Sequence, residues 1–214
     1  MKALDLFCGA GGASMGMDNV GFEVTGIDIN PQPEYPFNFI EGNAIDFNKF
    51  NDFDFIWASP PCQAYCYGSK KAKSKHPKLI EPTRKMLKKT GIPFVIENIP
   101  TAPLRKDLML CGEMFNLKVI RHRIFELHGF EAIQPLHKKH KGTIANGFYF
   151  GVYTGGRCGC WGDNEKRSKV KVGNISDWQK AMGINWITTK KMLAEAVPPV
   201  YAEYIGKEFR KSIT

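Results

Sequence analysis

The alternation of short apolar runs with helical stretches in the N-terminal half of this chain limits its fold more than any other feature. Residues 3–7 form a candidate strand that breaks into the glycine-rich turn Cys8-Gly9-Ala10-Gly11-Gly12. Small and apolar residues at 13–20 suit a helix, and Gly21 stands where a left-handed residue ends one. Residues 22–27 read as a second strand closing on Asp28, and Pro31, Pro33 and Pro36 forbid a regular helix soon after it. Further strands are expected at 37–40, at 53–58 before Ser59-Pro60-Pro61-Cys62-Gln63, and at 92–96 before Glu97-Asn98. A helix over 78–90, followed by Gly91, separates the last two. Strands and helices alternating at this spacing predict parallel strands joined by crossovers, an open α/β sheet. Ligands of such sheets bind outside the carboxyl ends of the strands, and Asp28, Cys62 and Glu97 all fall there.

Over residues 129–173 glycine, lysine and histidine become frequent and periodicity fades. We read this segment as a small irregular lobe, with β-like runs such as 148–153, attached to a core at 1–128. Residues 174–214 then return to the core as helices, one capped by Ser176 and running through Met182, another following Pro199. The formal net charge of +9, from 30 Lys and Arg against 21 Asp and Glu, suggests a polyanionic partner such as nucleic acid. Lys70, Lys71, Lys73 and Lys75 after Cys62, and Lys138 and Lys139 in the lobe, are the expected phosphate contacts. The 6 scattered cysteines do not look like the frame of a small disulfide-rich domain. An apolar strand starting at Lys2 leaves no signal peptide, and no apolar run approaches the roughly 20 residues that span a bilayer. A cytoplasmic protein with reduced thiols and no membrane partner is expected.

Three features carry chemistry. In Phe7-x-Gly9-x-Gly11 the missing side chains let the backbone approach a cofactor closely. Asp28, at the end of the second strand, can accept hydrogen bonds from both hydroxyls of a ribose. The spacing departs from the Gly-x-Gly-x-x-Gly of dinucleotide sites, so the pair favours an adenosyl group without deciding which one. Next, Pro60 and Pro61 stiffen the backbone ahead of Cys62, and an ordinary thiol pKa of about 8.5 leaves a few percent thiolate at neutral pH. An isolated Pro-Cys turn is at least as often structural. Last, Glu97-Asn98 ends the following strand, where a carboxylate in a desolvated cleft can hold a proton and give it to a ring nitrogen.

In chain order, Asp5-Leu6-Phe7-Cys8-Gly9-Ala10-Gly11-Gly12, Pro60-Pro61-Cys62-Gln63, Glu97-Asn98-Ile99, Arg121-His122-Arg123 and Glu195-Ala196-Val197-Pro198-Pro199 resemble the motifs of the DNA cytosine-5 methyltransferase family. The compact size and the stretch 177–183 look like its small bacteriophage-encoded members. The resemblance runs from the first strand to the last helix and leaves only the lobe unmatched. It implies a Rossmann-like α/β fold of the S-adenosylmethionine-dependent methyltransferases with a small irregular target-recognition lobe. It also implies Cys62 as the nucleophile toward a flipped cytosine, Glu97 at its N3 and exocyclic amine, and Arg123 at its O2. Arg121 and Gln63 belong to the same catalytic set, and Asn98 braces the nucleophile loop. Phe7, Gly9, Gly11, Asp28, Ile29, Asn43, Ala44, Pro60 and Val197 correspond to contacts of S-adenosyl-L-methionine, whose product is S-adenosyl-L-homocysteine. Double-stranded DNA is the implied partner, bound by a monomer in the cytoplasm, that of the bacterial host if a phage encodes the chain.

Several positions depart from the family pattern. Val119 stands where a glutamine precedes the two arginines, Asn43 replaces an aspartate near the adenine, and Glu195 replaces an asparagine. The motif that braces the recognition lobe is faint over 175–184. None of these removes a reacting group. A lobe of about 45 residues is short, so a very short or degenerate target sequence is expected. His137, His140, Cys158 and Cys160 could together hold zinc, but Cys-x-Cys is tighter than the common knuckle and no metal is expected. Cys8, Cys66 and Cys111 read as packing residues. An RNA cytosine-5 methyltransferase would use the same nucleophile and carboxylate, and a catalytically weak DNA-binding regulator would share the fold; intact Cys62, Glu97 and Arg123 speak against the regulator.

Overall fold

The computed structural model describes residues 1–66, 75–153 and 173–213. Seven strands build one sheet: β1 (Lys2–Leu6), β2 (Glu23–Asp28), β3 (Asn38–Glu41), β4 (Phe55–Ala58), β5 (Phe94–Asn98), β6 (Leu108–Leu110) and β7 (Arg123–His128), in the order β3-β2-β1-β4-β5-β7-β6. The first five run parallel, as the alternation predicts. β7 inserts antiparallel between β5 and β6. Neither β6 nor β7 is expected from the sequence, because β6 is only three residues long and β7 carries polar residues at both ends.

Side chains alternate across a strand, and both sets find apolar partners here. Ala3, Phe55, Trp57 and Val95 pack with Met17, Tyr201, Ile205 and Phe209 on one face. Leu4, Leu6, Ile56, Ala58 and Ile96 pack with Ile80 and Leu87 on the other. The helices behind these layers are α1 (Gly12–Asp18) and α5 (Pro199–Ser212) on the first face and α2 (Ile80–Lys88) on the second. Burial on both faces is what near-continuous apolar strands require. α1 lies so close to the start of α5 that a Cβ at Gly12 would sit 2.2 Å from the Val197 carbonyl oxygen, and one at Gly16 2.0 Å from that of Pro199. The C-terminal segment is thereby seated beside the glycine-rich turn.

Two further helices complete the described residues, α3 (Ile175–Met182) and α4 (Lys190–Glu195). The cap of α3 is Asn174 rather than Ser176: its Oδ1 accepts the Asp177 N–H at 2.9 Å, and Asp177 Oδ2 accepts the Asn174 N–H at 2.9 Å. That reciprocal pair satisfies two backbone donors at once, which a cap two residues later could not do. α4 is unexpected from the sequence and starts at Thr189, whose hydroxyl accepts the Met192 N–H. The run 148–153 forms no strand. Its Tyr149 and Val152 are buried as packing side chains, and its backbone reaches the core through Phe150 N–H on the Lys118 carbonyl, too little for a ladder. Among the described residues no helix is long and apolar enough to cross a membrane.

Candidate active site

The turn after β1 is shaped by three left-handed residues, Phe7 (φ 62°), Gly9 (φ 50°) and Gly11 (φ 84°). Glycine adopts this conformation freely; a phenylalanine held there is strained, a feature that clusters at functional sites. The turn is tied to the end of β2 through Asp28, whose Oδ2 accepts the Gly9 N–H at 3.1 Å and whose Oδ1 accepts the Asn30 N–H at 3.0 Å. Each oxygen keeps a further lone-pair direction, enough for two vicinal hydroxyls. A Cβ at Gly9 would meet nothing within 4 Å, so the turn is open on that side. Trp186 closes it from the C-terminal segment by donating Nε1–H to the Ala10 carbonyl at 2.8 Å. No sequence signal points to Trp186, which lies far along the chain.

The other expected cofactor contacts divide into two groups. Ile29, 66% exposed, stands beside Asp28 at the open rim, and Val197 lies against the turn through Gly12. Ala44 is buried in the α2-side core, and the exposed Asn43 spends its side chain on its own turn, donating to Asp46 and accepting from the Ile45 N–H. Behind the turn, the buried Asp5 accepts from Ser14 Oγ at 2.5 Å, and Ser14 Oγ lies 2.8 Å from Tyr35 Oη. Burial pushes the Asp5 carboxyl up to about 7; Ser14 opposes the shift and Asp28 adds to it. Its Oδ1 has no hydrogen-bond partner.

The loop that carries Cys62 follows β4. Pro60 is buried and its carbonyl accepts Asn98 Nδ2–H at 2.8 Å, which ties the loop to the end of β5. Cys62 opens a 3-10 turn, Gln63–Tyr65, closed by Tyr65 N–H on the Cys62 carbonyl at 2.9 Å. Gln63 on that turn is exposed. Burial pushes the Cys62 thiol up to about 11; Cys66, whose sulfur is 4.0 Å away, and Glu97 add to the shift, while Arg123 opposes it. The few percent of thiolate expected from an ordinary cysteine is therefore absent at neutral pH, because desolvation penalises the anion.

Glu97 on β5 and Arg123 on the adjoining β7 form an ion pair, Arg123 Nε to Glu97 Oε1 at 2.8 Å, with both side chains largely buried. The Arg123 fork is further fixed by donation from Nη1 to the His122 carbonyl at 2.9 Å. β4, β5 and β7 are neighbours in the sheet, so Cys62, Glu97 and Arg123 come from three adjacent strand ends. Arg121 corrects the expectation of a catalytic group. It is buried and spends its guanidinium on the carbonyls of Val152, Ala194 and Ala196, while its own carbonyl accepts from Tyr201 Oη. Burial, with Arg123 nearby, holds it down to about 9. Arg121 is a strut between the lobe and the C-terminal segment. Val119, in place of the family's glutamine, is buried with Val152 and Trp178, so apolar packing replaces a hydrogen bond there.

Lys75, Lys138 and Lys139 are exposed; Lys70, Lys71 and Lys73 lie outside the described residues, as do Cys158 and Cys160. His137 and His140 converge instead on Cys111 and His122. Burial, with His137, His140 and Arg123 nearby, holds the His122 imidazole down to about 4.

The chain is similar in sequence and in fold to known methyltransferases. The Type II methyltransferases M.HgiCI and M.HgiGI of Herpetosiphon aurantiacus are 35% identical over 82 residues and 33% identical over 84 residues. Each match takes in 33% of this chain, with 20% of the first relative and 67% of the second, so the chain spans only about a fifth of M.HgiCI. Among solved structures, a prophage-encoded E. coli protein provisionally described as a DNA modification methyltransferase shares the fold at TM-score 0.65 and 14% identity, covering 100% of this chain and 99% of its own. The Dnmt2 methyltransferase of S. pombe does so at TM-score 0.63 and 13% identity, covering 99% of each. The model of the C-5 cytosine-specific DNA methylases matches residues 1–107, half of the 214. Those residues hold the glycine turn, Asp28, Cys62 and Glu97, and the chain belongs to that family.

Proposed function

We propose that this chain methylates C5 of cytosine in double-stranded DNA, using S-adenosylmethionine, through a covalent bond from Cys62 Sγ to C6 of a base flipped out of the duplex. The observation that carries the reading is the buried Glu97–Arg123 pair held beside Cys62 by adjacent strand ends. A cytosine placed there meets a nucleophile, a carboxylate that can relay a proton and a guanidinium cation together. Glu97 gives N3 a proton and accepts from the exocyclic amine, and Arg123 donates to O2, so the negative charge that develops as sulfur adds to C6 is neutralised where it forms. The proton that Cys62 gives up on addition is taken by the Glu97 carboxylate, which passes it to N3, and C5 is left as an enamine carbon. Once C5 carries the methyl group, its proton is lost to water, the C5–C6 double bond re-forms, and the expelled Cys62 thiolate takes back the N3 proton through Glu97. When bound, S-adenosylmethionine supplies the electrophilic methyl group that C5 takes up.

The open turn at Gly9, the two acceptors of Asp28 and the unpartnered Asp5 Oδ1 fit such a cofactor. Lys75, Lys138 and Lys139 supply exposed positive charge for phosphates. Duplex DNA carrying 5-fluorocytosine tests the reading, because fluorine at C5 blocks the final elimination and traps the adduct. Wild type with cofactor should form a denaturant-stable complex and Cys62→Ala none. If wild type forms no adduct on DNA, or forms it only on RNA, the proposal fails. Bisulfite sequencing of DNA from expressing cells then reads the target, which the short lobe makes short or degenerate.

A further inference from the structure

Cys111, His122, His137 and His140 play no part in the chemistry above, yet their side chains meet. Cys111 follows β6, His122 precedes β7, and the two other histidines lie in the irregular segment beyond β7. All four ligand atoms fall within 4.8 Å of one another. His122 Nε2 is 3.2 Å from His137 Nε2, which is 3.2 Å from His140 Nε2, which is 3.4 Å from Cys111 Sγ. The three rings are mutually adjacent, with centroids 5.2, 5.2 and 4.9 Å apart.

Hydrogen bonding does not account for these contacts. A ring nitrogen has one in-plane direction, holding either a proton or a lone pair. His137 Nε2 faces two histidines and His140 Nε2 faces a histidine and a thiol, so each can serve only one of its two neighbours. A cation at the centre uses every lone pair once. Zinc bonds of about 2.0 Å to nitrogen and 2.3 Å to sulfur give tetrahedral edges of about 3.3 Å between nitrogens and about 3.5 Å from sulfur to nitrogen. The three observed contacts are close to those edges.

We propose that Cys111, His122, His137 and His140 form a structural zinc site of one thiolate and three imidazoles. Four protein ligands leave no open position, so the site is structural rather than catalytic. It clips the start of the lobe to the strand bearing Arg123. The clip lies at His122, whose carbonyl accepts from Arg123, and so it positions that arginine from the side away from the base. The inference is independent of the methyltransferase reading, because metal content and cytosine adducts are measured separately.

The full chain, expressed in zinc-supplemented medium and purified without chelator, should carry close to one zinc by elemental mass spectrometry. After chelator stripping, Co²⁺ should give visible d–d bands of tetrahedral intensity together with a near-ultraviolet thiolate-to-cobalt band. Cys111→Ser should lose the second feature, and His137→Gln should weaken cobalt binding by roughly tenfold or more. Zinc should raise the melting temperature of stripped wild type by roughly 8 °C or more and leave a His137→Gln, His140→Gln double variant unmoved. Wild type with fewer than about one zinc in ten chains and no cobalt spectrum on titration would overturn the proposal. That titration uses wild type alone, so it decides the matter even if a variant fails to fold.

Discussion

Burial moves the Cys62 thiol from the ordinary range of about 8.5–9 to about 11, and the reactivity of this one sulfur therefore has a characteristic pH profile. Two pH units correspond to about a hundredfold fewer thiolates at any fixed pH below 9. At pH 7.5 roughly one molecule in three thousand carries the anion, and the fraction rises tenfold per unit up to about pH 10. Alkylation by iodoacetamide, which consumes the thiolate, should run about a hundredfold slower than for free cysteine at pH 7.5. It should then accelerate about a hundredfold by pH 9.5. Fragment-ion mass spectrometry separates Cys62 from Cys66 within one peptide. Glu97→Gln removes a negative neighbour and leaves Arg123 unpaired, so its curve should shift to lower pH; Arg123→Gln should shift it higher. A Cys62 that alkylates at the free-cysteine rate, or a rate that stays level from pH 7.5 to 9.5, would refute desolvation as the controlling effect. Under the proposed function, the resting site would hold an unreactive thiol, and attack would wait until a bound base organises the site.

Other expectations follow from single contacts. Asn98→Ala leaves the Pro60 carbonyl without its buried donor and should cost about 1–3 kcal/mol in urea unfolding; a change within error would remove Asn98 as the brace. Gly16→Ala sets a methyl 2.0 Å from the Pro199 carbonyl oxygen and should destabilise by about 2 kcal/mol or more, whereas an unchanged melting temperature would mean that α5 shifts freely. Asp28→Ala should weaken S-adenosylmethionine binding by calorimetry roughly tenfold or more, through loss of the two acceptors proposed for the ribose hydroxyls; equal affinity would place the ribose elsewhere. Burial raises the Glu126 carboxyl, but Arg84, His128 and the Arg105 N–H outweigh it and hold it down to about 2. Its contribution is present above the ordinary 4.5 and lost as pH falls from there toward 2. Thermal melts should therefore lose stability over that window, and Glu126→Gln should flatten the slope.

The residues that do the proposed chemistry were legible in the sequence because each is announced locally. Gly9, Asp28, Cys62 and Glu97 stand at the ends of apolar runs, and the strand period together with the turn residues fixes those ends. Local pattern likewise foresaw the five parallel strands. What tertiary structure alone decided is what depends on residues distant in the chain. β7, too polar at its ends to be read as a strand, becomes one by pairing antiparallel with β5, and that pairing is what sets Arg123 on Glu97. Arg121, two positions earlier, turns the other way and becomes a strut on the C-terminal carbonyls. The cap of α3 moved to Asn174 because only there do two donors and two acceptors close on each other. The Cys62 thiol is raised by burial, by Cys66 and by Glu97 on β5, against Arg123 on β7, so no motif could state its charge. The cluster of Cys111 with three histidines joins two pieces of chain through side-chain direction, a property that spacing along the sequence does not encode.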